Sequence, residues 1–389
     1  MQLNKPYYIA PLLVEQPTWG GDYIAQNKSI SQPKVTTKKI GQAFELAKES
    51  MLVENPSKDF LLTSATLINQ SEHIGDSKLH SLQSVIDQNP SDVLGKAVVK
   101  KHGPVMPVLI KFTQAKSNSY QVHLKQGVTL KHWLPKPESW YFFEKGKATL
   151  CLNTSTKVEE YKLRCQEIYD RAQQISQQIK QKEISLKEAQ QRLDQFINQD
   201  HPHNYVTTIY PEADSIIDLS EGGIHHSWET DPQLKNGNIV YEVQLDVQDE
   251  FCTLRSFDQG KFKDDGSIRN LTIDDYFQAL ETDPQLNDPA LYQQPATSTP
   301  IQNGHVTVLF DSPNYHLSKL VFDTEHSSHF TSTVEGFHHL FVKQGSGVKI
   351  VINQESYPLD EGWSLFIPAA VKNYTLIANK KATILKTTA

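Results

Sequence analysis

From about residue 304 to residue 389 the chain is written in short alternating runs: HVTVLF, HLSKLVF, HHLFVKQGSGVKIVI, SLFIPA and NYTLIA. Turns such as Gly345-Ser346-Gly347 separate them. Apolar residues at every second position mark half-buried strands, and many such strands at regular spacing predict a sandwich or a closed barrel. The first 150 residues have the same character. In VMPVLIKFTQAKSNSYQVHL, Val108, Ile110 and Phe112 alternate with Leu109 and Lys111, and the strand runs into a turn at Lys116 to Ser119. SWYFFEKGKATLCL reads as a strand pair around Lys145-Gly146. The chain is therefore mainly β at both ends.

Helices interrupt this pattern in the middle. LHSLQSVIDQNPSDVLG places Leu79, Leu82, Val85 and Ile86 on one face. Between 156 and 199, Val158, Tyr161, Cys165, Ile168, Ala172, Ile175 and Ile179 recur at spacings of three and four, the signature of a long amphipathic helix. Ser185 with Glu188 forms a capping box that starts a second helix, whose apolar face is Leu186, Ala189, Leu193 and Phe196. The two read as an antiparallel helical hairpin, either a plain insertion or a lid or dimerisation arm. Thr272 and Asp275 suit the start of a short helix in LTIDDYFQALE. DPQLNDPALYQQPATSTP has the composition of a linker. The expected organisation is a first domain over 1–284 with the hairpin inserted at 156–199, a linker over 285–300 and a second domain over 301–389.

A chain of 389 residues with 38% hydrophobic content can bury two cores. Its net charge of −7 and pI near 6.1 lack the basic footprint of a nucleic-acid binder. The three cysteines, Cys151, Cys165 and Cys252, have no CxxC spacing, so ordinary thiols are expected rather than disulfides or a thiolate metal site. The N-terminal stretch has no basic segment followed by a long apolar one, and no apolar run is long enough to span a membrane. A cytoplasmic protein is expected. GxGxxG, GxxxxGK[ST] and GxSxG are all missing.

Four positions could form a metal set. Gln121 and His123 lie two apart on a strand and so project from one face. Glu138 precedes the strand SWYFF, and GGIHHSW offers His225 or His226. An amide oxygen, two imidazoles and a carboxylate suit zinc in a Lewis-acid role with room for substrate. Arg255, in CTLRSFD, can hold a phosphate or stabilise an enolate oxygen, or else pair with Asp258 at the surface. Lys111 and Lys136 flank the ligand candidates. The paired histidines His201/His203, His326/His329 and His338/His339 fit no ligand spacing and read as structural or surface residues.

These motifs fall in an order that resembles the class I mannose-6-phosphate isomerases of the short bacterial type. They comprise Trp19-Gly20-Gly21; Gly41-Gln42-Ala43-Phe44-Glu45; Asn89 to Gly95; Pro107 to Lys111 with Gln121-Val122-His123; Lys136-Pro137-Glu138-Ser139-Trp140; Gly222-Gly223-Ile224-His225; and Tyr241-Glu242-Val243-Gln244 with Arg255-Ser256-Phe257-Asp258. The resemblance implies two cupin (jelly-roll) barrels, the second degenerate and without metal ligands. It implies one zinc ion held by Gln121, His123, Glu138 and His225, which selects His225 over His226. It makes Arg255 the main catalytic cation and places Lys111, Lys136, Glu242 and Trp19 in the substrate pocket. The implied reaction interconverts mannose 6-phosphate and fructose 6-phosphate through a cis-enediol, with Glu242, Lys136 or a water as base. The implied partner is a small sugar phosphate, bound by a monomer or homodimer. Leu124 stands where the family has proline, the Glu242–Arg255 spacing is longer than the family's, and so is the hairpin. The competing readings are a non-catalytic zinc cupin that binds a phosphosugar and a cupin oxygenase. The amide ligand disfavours the oxygenase.

Overall fold

The structure, a computed structural model, describes residues 2–17, 19–30, 33–54, 56, 66–67, 79–220, 222–227, 231–293, 296–323 and 328–389. His326 lies outside them. Most of the elements are strands, in several antiparallel sheets, so the mainly β, cupin-like reading holds. The chain forms two compact units. One gathers residues 1–114, 240–246 and 294–389, and the other gathers 115–239 and 247–293. These units are interleaved rather than contiguous, in contrast to the expected 1–284, 285–300 and 301–389. Strand pairing is the reason: Tyr7–Ile9 hydrogen-bonds to Ser364–Ile367 on one side and to Met51–Val53 on the other. The N-terminus is thereby built into the sheet of the C-terminal strands. The segment read as a linker holds a short turn of tight helix at Pro289–Tyr292 and the beginning of a strand, Thr297–Ile301.

In the first unit, a nine-stranded sheet and a four-stranded sheet both contribute to one apolar core. Leu340 and Val342 come from the larger sheet, Ile350, Ile352 and Leu376 from the smaller. The alternation legible in the sequence is the inward-facing half of these strands. A third group of strands, Leu12–Glu15, Ile40–Leu46 and Val108–Ala115, pairs antiparallel. Here Trp19 and the glycines lock together. A Cβ on Gly41 would come within 2.7 Å of the Trp19 ring, and one on Gly20 within 2.8 Å of the Gly41 backbone. The helix expected from Leu79 starts three residues later. Leu79–Ser81 is a strand, Ser81 caps helix Leu82–Gln88, and Pro90 opens a new helix.

The second unit contains the helical hairpin as expected, Val158–Lys180 and Leu186–Ile197. The Ser185 hydroxyl accepts from the Glu188 amide at 3.2 Å. Ser185→Ala is expected to lower stability by about 1 kcal/mol, read as a shift of the urea midpoint. The hairpin lies against a five-stranded antiparallel sheet in the order Val206–Ile209, Ala148–Leu152, His225–Ser227, Tyr120–Val122, Leu254–Phe257. Tyr161, Cys165, Ile168, Ala172 and Leu193 of the helices share a core with Tyr120, Val122, Leu254 and Phe257 of the strands. All three cysteines are buried free thiols. Among the described residues no helix is long and apolar enough to cross a membrane.

Candidate metal centre

Register decides what this sheet displays. Gln121 is directly opposite His225 on one neighbouring strand and directly opposite Arg255 on the other. Residues opposite one another share a face, so His225, Gln121 and Arg255 stand in one row, and His123 follows Gln121 at the same-face spacing of two. Val122 and Leu254, one residue out of phase, point to the other face and into the core under the hairpin. The hairpin therefore packs on the side opposite the row. Its length serves to cover an apolar sheet face, and it does not lie over the candidate site. The same alternation separates the two adjacent histidines. His226 turns away, with Nδ1 at 3.2 Å from Thr149 Oγ1 and Nε2 at 2.9 Å from Gln259 Nε2.

Glu138, at the start of strand Glu138–Phe142, completes the group. One ligand atom from each of His123, Glu138 and His225 lies within 4.8 Å of the others, and all three residues are buried. His123 Nε2 sits 3.1 Å from Glu138 Oε2. Ligand atoms about 2.1 Å from a tetrahedral zinc ion are about 3.4 Å apart, so small movements convert this cluster into a coordination shell. Its outer contacts have the form a metal needs. His123 Nδ1 is 2.7 Å from the Cys252 carbonyl, which fixes its proton there and leaves Nε2 as the donor atom. Trp140 Nε1 donates to Glu138 Oε1 at 2.5 Å. The Gln121 amide nitrogen donates to Ser119 Oγ at 3.2 Å, so the amide oxygen is the end that the bond leaves over. The residues fit a zinc ion.

The protonation states fit as well. Burial, with the Lys136 charge next in size, holds the His123 imidazole below its usual value. Burial, aided by His123, takes His225 down to about 3. Burial alone would raise Glu138, but Lys136 and His123 overcome it and keep the carboxyl well below the ordinary range. Lys136 Nζ is 2.8 Å from Glu138 Oε2, and burial opposes but Glu138 raises its pKa. The site thus presents two neutral imidazoles and a carboxylate, the forms that bind a divalent cation. A stability consequence follows. A buried imidazole that titrates below about 6.5 stays neutral while the unfolded chain takes up protons, so its contribution is intact above that pH and is lost as pH falls toward the folded value. Both imidazoles act in this direction. Chelator-treated protein is therefore expected to have a clearly lower urea midpoint at pH 5.5 than at pH 7.5. An unchanged midpoint contradicts the neutral-imidazole assignment.

Arg255 is held on three sides. Nε donates to Ser119 Oγ at 3.1 Å, Nη1 to the Thr253 carbonyl at 3.2 Å, and Nη2 to Asp249. Its ionic partner is Asp249, whereas Asp258, considered from the sequence, pairs with Arg269 at 3.1 Å. The Asp249 side chain is largely exposed, but its carboxylate is partly desolvated against the guanidinium, which would raise it; Arg255, with Thr253 and Lys136, holds it well below the usual range. The remaining candidates belong to the other unit. Lys111 Nζ is 3.8 Å from Glu242 Oε2, and Trp19 lies against Gly41. The residues that sequence reasoning missed are Ser119, Asp249 and Cys252. Ser119 precedes Gln121 by two, the one signal available in the sequence. Asp249 and Cys252 belong to the short helix Asp249–Cys252, which lies in the long Glu242–Arg255 interval.

No protein-family model matches the sequence, and no curated protein matches it. Solved structures do match the fold. The mannose 6-phosphate isomerase from Bacillus subtilis superposes with a TM-score of 0.67 at 16% identity, over 99% of both chains. The mannose 6-phosphate isomerase from Salmonella typhimurium, bound to fructose 6-phosphate and zinc, superposes at 0.64 with 12% identity, over 98% of this chain and 99% of that one. Over essentially its whole length, the chain has the fold of the mannose-6-phosphate isomerases that its motifs resemble.

Proposed function

We propose that the chain is a zinc-dependent aldose–ketose isomerase of the cytoplasm that interconverts mannose 6-phosphate and fructose 6-phosphate. The observation that carries this reading is that His123, His225, Gln121 and the Arg255 cation share one face of a short sheet and that Glu138, from the strand Glu138–Phe142 of another sheet, meets the two imidazoles there. A zinc ion bound there would supply Lewis-acid polarisation of a substrate oxygen. Gln121, His123, Glu138 and His225 would hold it. Moving a proton between C1 and C2 puts negative charge on the adjoining oxygens. The fixed positive charge of Arg255 would stabilise that charge without reorganisation, because its Nε and Nη1 contacts already hold it in place. Lys136, buried against Glu138, or Glu242 would shuttle the proton. Lys111 would orient the phosphate, and Trp19 would shape the pocket.

Fructose 6-phosphate incubated with the zinc-loaded protein in deuterium oxide tests the reading by NMR. The proposal predicts mannose 6-phosphate carrying deuterium at C2. Binding of the sugar without deuterium uptake or product would replace the isomerase by the non-catalytic cupin.

A further inference from the structure

Of the three contacts that hold Arg255, two differ in kind from the third. Ser119 and Thr253 are buried, neutral and part of the sheet or its approach. Asp249 is anionic, its side chain is 64% exposed, and it meets the guanidinium on the solvent side. Arg255 itself is only 12% exposed. The outer nitrogen of the arginine is thus already occupied by a carboxylate, at the place where an anion arriving from solvent would meet it. Asp249 also lies within electrostatic range of Lys136.

We propose that Asp249 is a positioning residue that acts as a displaceable screen on Arg255. In the free protein its carboxylate occupies the outer face of the guanidinium, and the substrate oxygens on which charge develops take its place. This rests on the role given to Arg255 above. The energetics allow the exchange. The pair joins a largely exposed carboxylate to a largely buried guanidinium, so water can reach and replace the carboxylate, and the contact yields to a ligand held at additional points. The two inner contacts keep the guanidinium in place during the exchange. The device favours selectivity. A simple anion must compete with Asp249 with nothing else to hold it, whereas a sugar phosphate is also bound elsewhere.

The test uses zinc-loaded protein and inorganic phosphate as the probe, measured as a competitive inhibitor of mannose 6-phosphate turnover and directly by calorimetry. Asp249→Asn is expected to tighten phosphate binding by about twofold or more, the least that removal of a competing carboxylate from this guanidinium would give. It should lower KM for mannose 6-phosphate by a similar factor, and kcat should fall. Asp249→Glu should return the phosphate affinity toward that of the parent, which a role in helix structure alone would not require. On an Arg255→Ala background, Asp249→Asn should leave phosphate affinity unaltered. Phosphate affinity that is unchanged or weaker in Asp249→Asn overturns the proposal, provided that Arg255→Ala weakens phosphate binding. If Arg255→Ala binds phosphate as tightly as the parent, both the screen and the role assigned to Arg255 fail.

Discussion

Replacing Glu138 with alanine is expected to abolish zinc retention and turnover together, and to cost the metal-free fold about 3–5 kcal/mol. Glu138 serves two partners at once. Its Oε2 lies 3.1 Å from His123 Nε2 and 2.8 Å from Lys136 Nζ, and all three side chains are buried. The carboxylate is the only anionic member of the candidate ligand set, so alanine leaves two imidazoles and an amide with no charge to offset that of the cation. It also leaves the Lys136 ammonium in a site where burial already works against it. A buried charge stripped of its partner is costly, whereas the intact pair need contribute little by itself. Metal analysis, turnover and a urea titration of chelator-treated protein report the three effects separately. Glu138→Gln separates them further. The single amide oxygen can either accept from Trp140 or turn toward a metal, and the amide cannot neutralise Lys136. It should therefore share the stability loss and retain more zinc than the alanine variant. Zinc content in Glu138→Ala equal to that of the parent would remove Glu138 from the ligand set.

The second large effect is expected at Arg255. Arg255→Ala should keep its zinc and lose about 10²- to 10³-fold in kcat, the usual consequence of removing one preorganised electrostatic contact to a developing oxyanion. Zinc should stay because Arg255 touches no member of the His123–Glu138–His225 group. Its links are to Ser119, Thr253 and Asp249. An indirect path runs through Ser119, which also accepts from Gln121, so zinc affinity should shift by no more than about tenfold, the lower edge of effects from outer contacts. A kcat within threefold of the parent would rule out the catalytic role of Arg255.

The ligand candidates were legible because strands alternate. A Gln-x-His pair on a strand must share a face, and the structure places Gln121 and His123 accordingly. The choice between His225 and His226 could not be made from that rule alone, since adjacent strand residues point to opposite faces and either could face the site. Register separates them, pairing His225 with Gln121 and His226 with Thr149. The same holds for Arg255. Its distance in sequence from Glu242 obscured its position, and only the pairing of Leu254–Phe257 with Tyr120–Val122 puts it beside the ligands. The hairpin was legible as two helices because periodicities of three and four are local. Which sheet face it covers is a tertiary fact, carried by Val122 and Leu254 rather than by the helices themselves. The unit boundaries were illegible for a like reason. Nothing within Tyr7–Ile9 announces a partner more than three hundred residues away, at Leu365 and Phe366. Asp249 and Cys252 were missed because one acts through an arginine and the other through a backbone carbonyl, which leaves no side-chain signature.

The most direct test of the account is a coupled assay for conversion of mannose 6-phosphate to fructose 6-phosphate, run on chelator-stripped protein as zinc is added back. The account predicts no turnover in the stripped protein and activity that rises in step with bound zinc, reaching its plateau at about one ion per chain, the capacity of a single four-ligand site. Full turnover without metal, or none with the site filled, would contradict it.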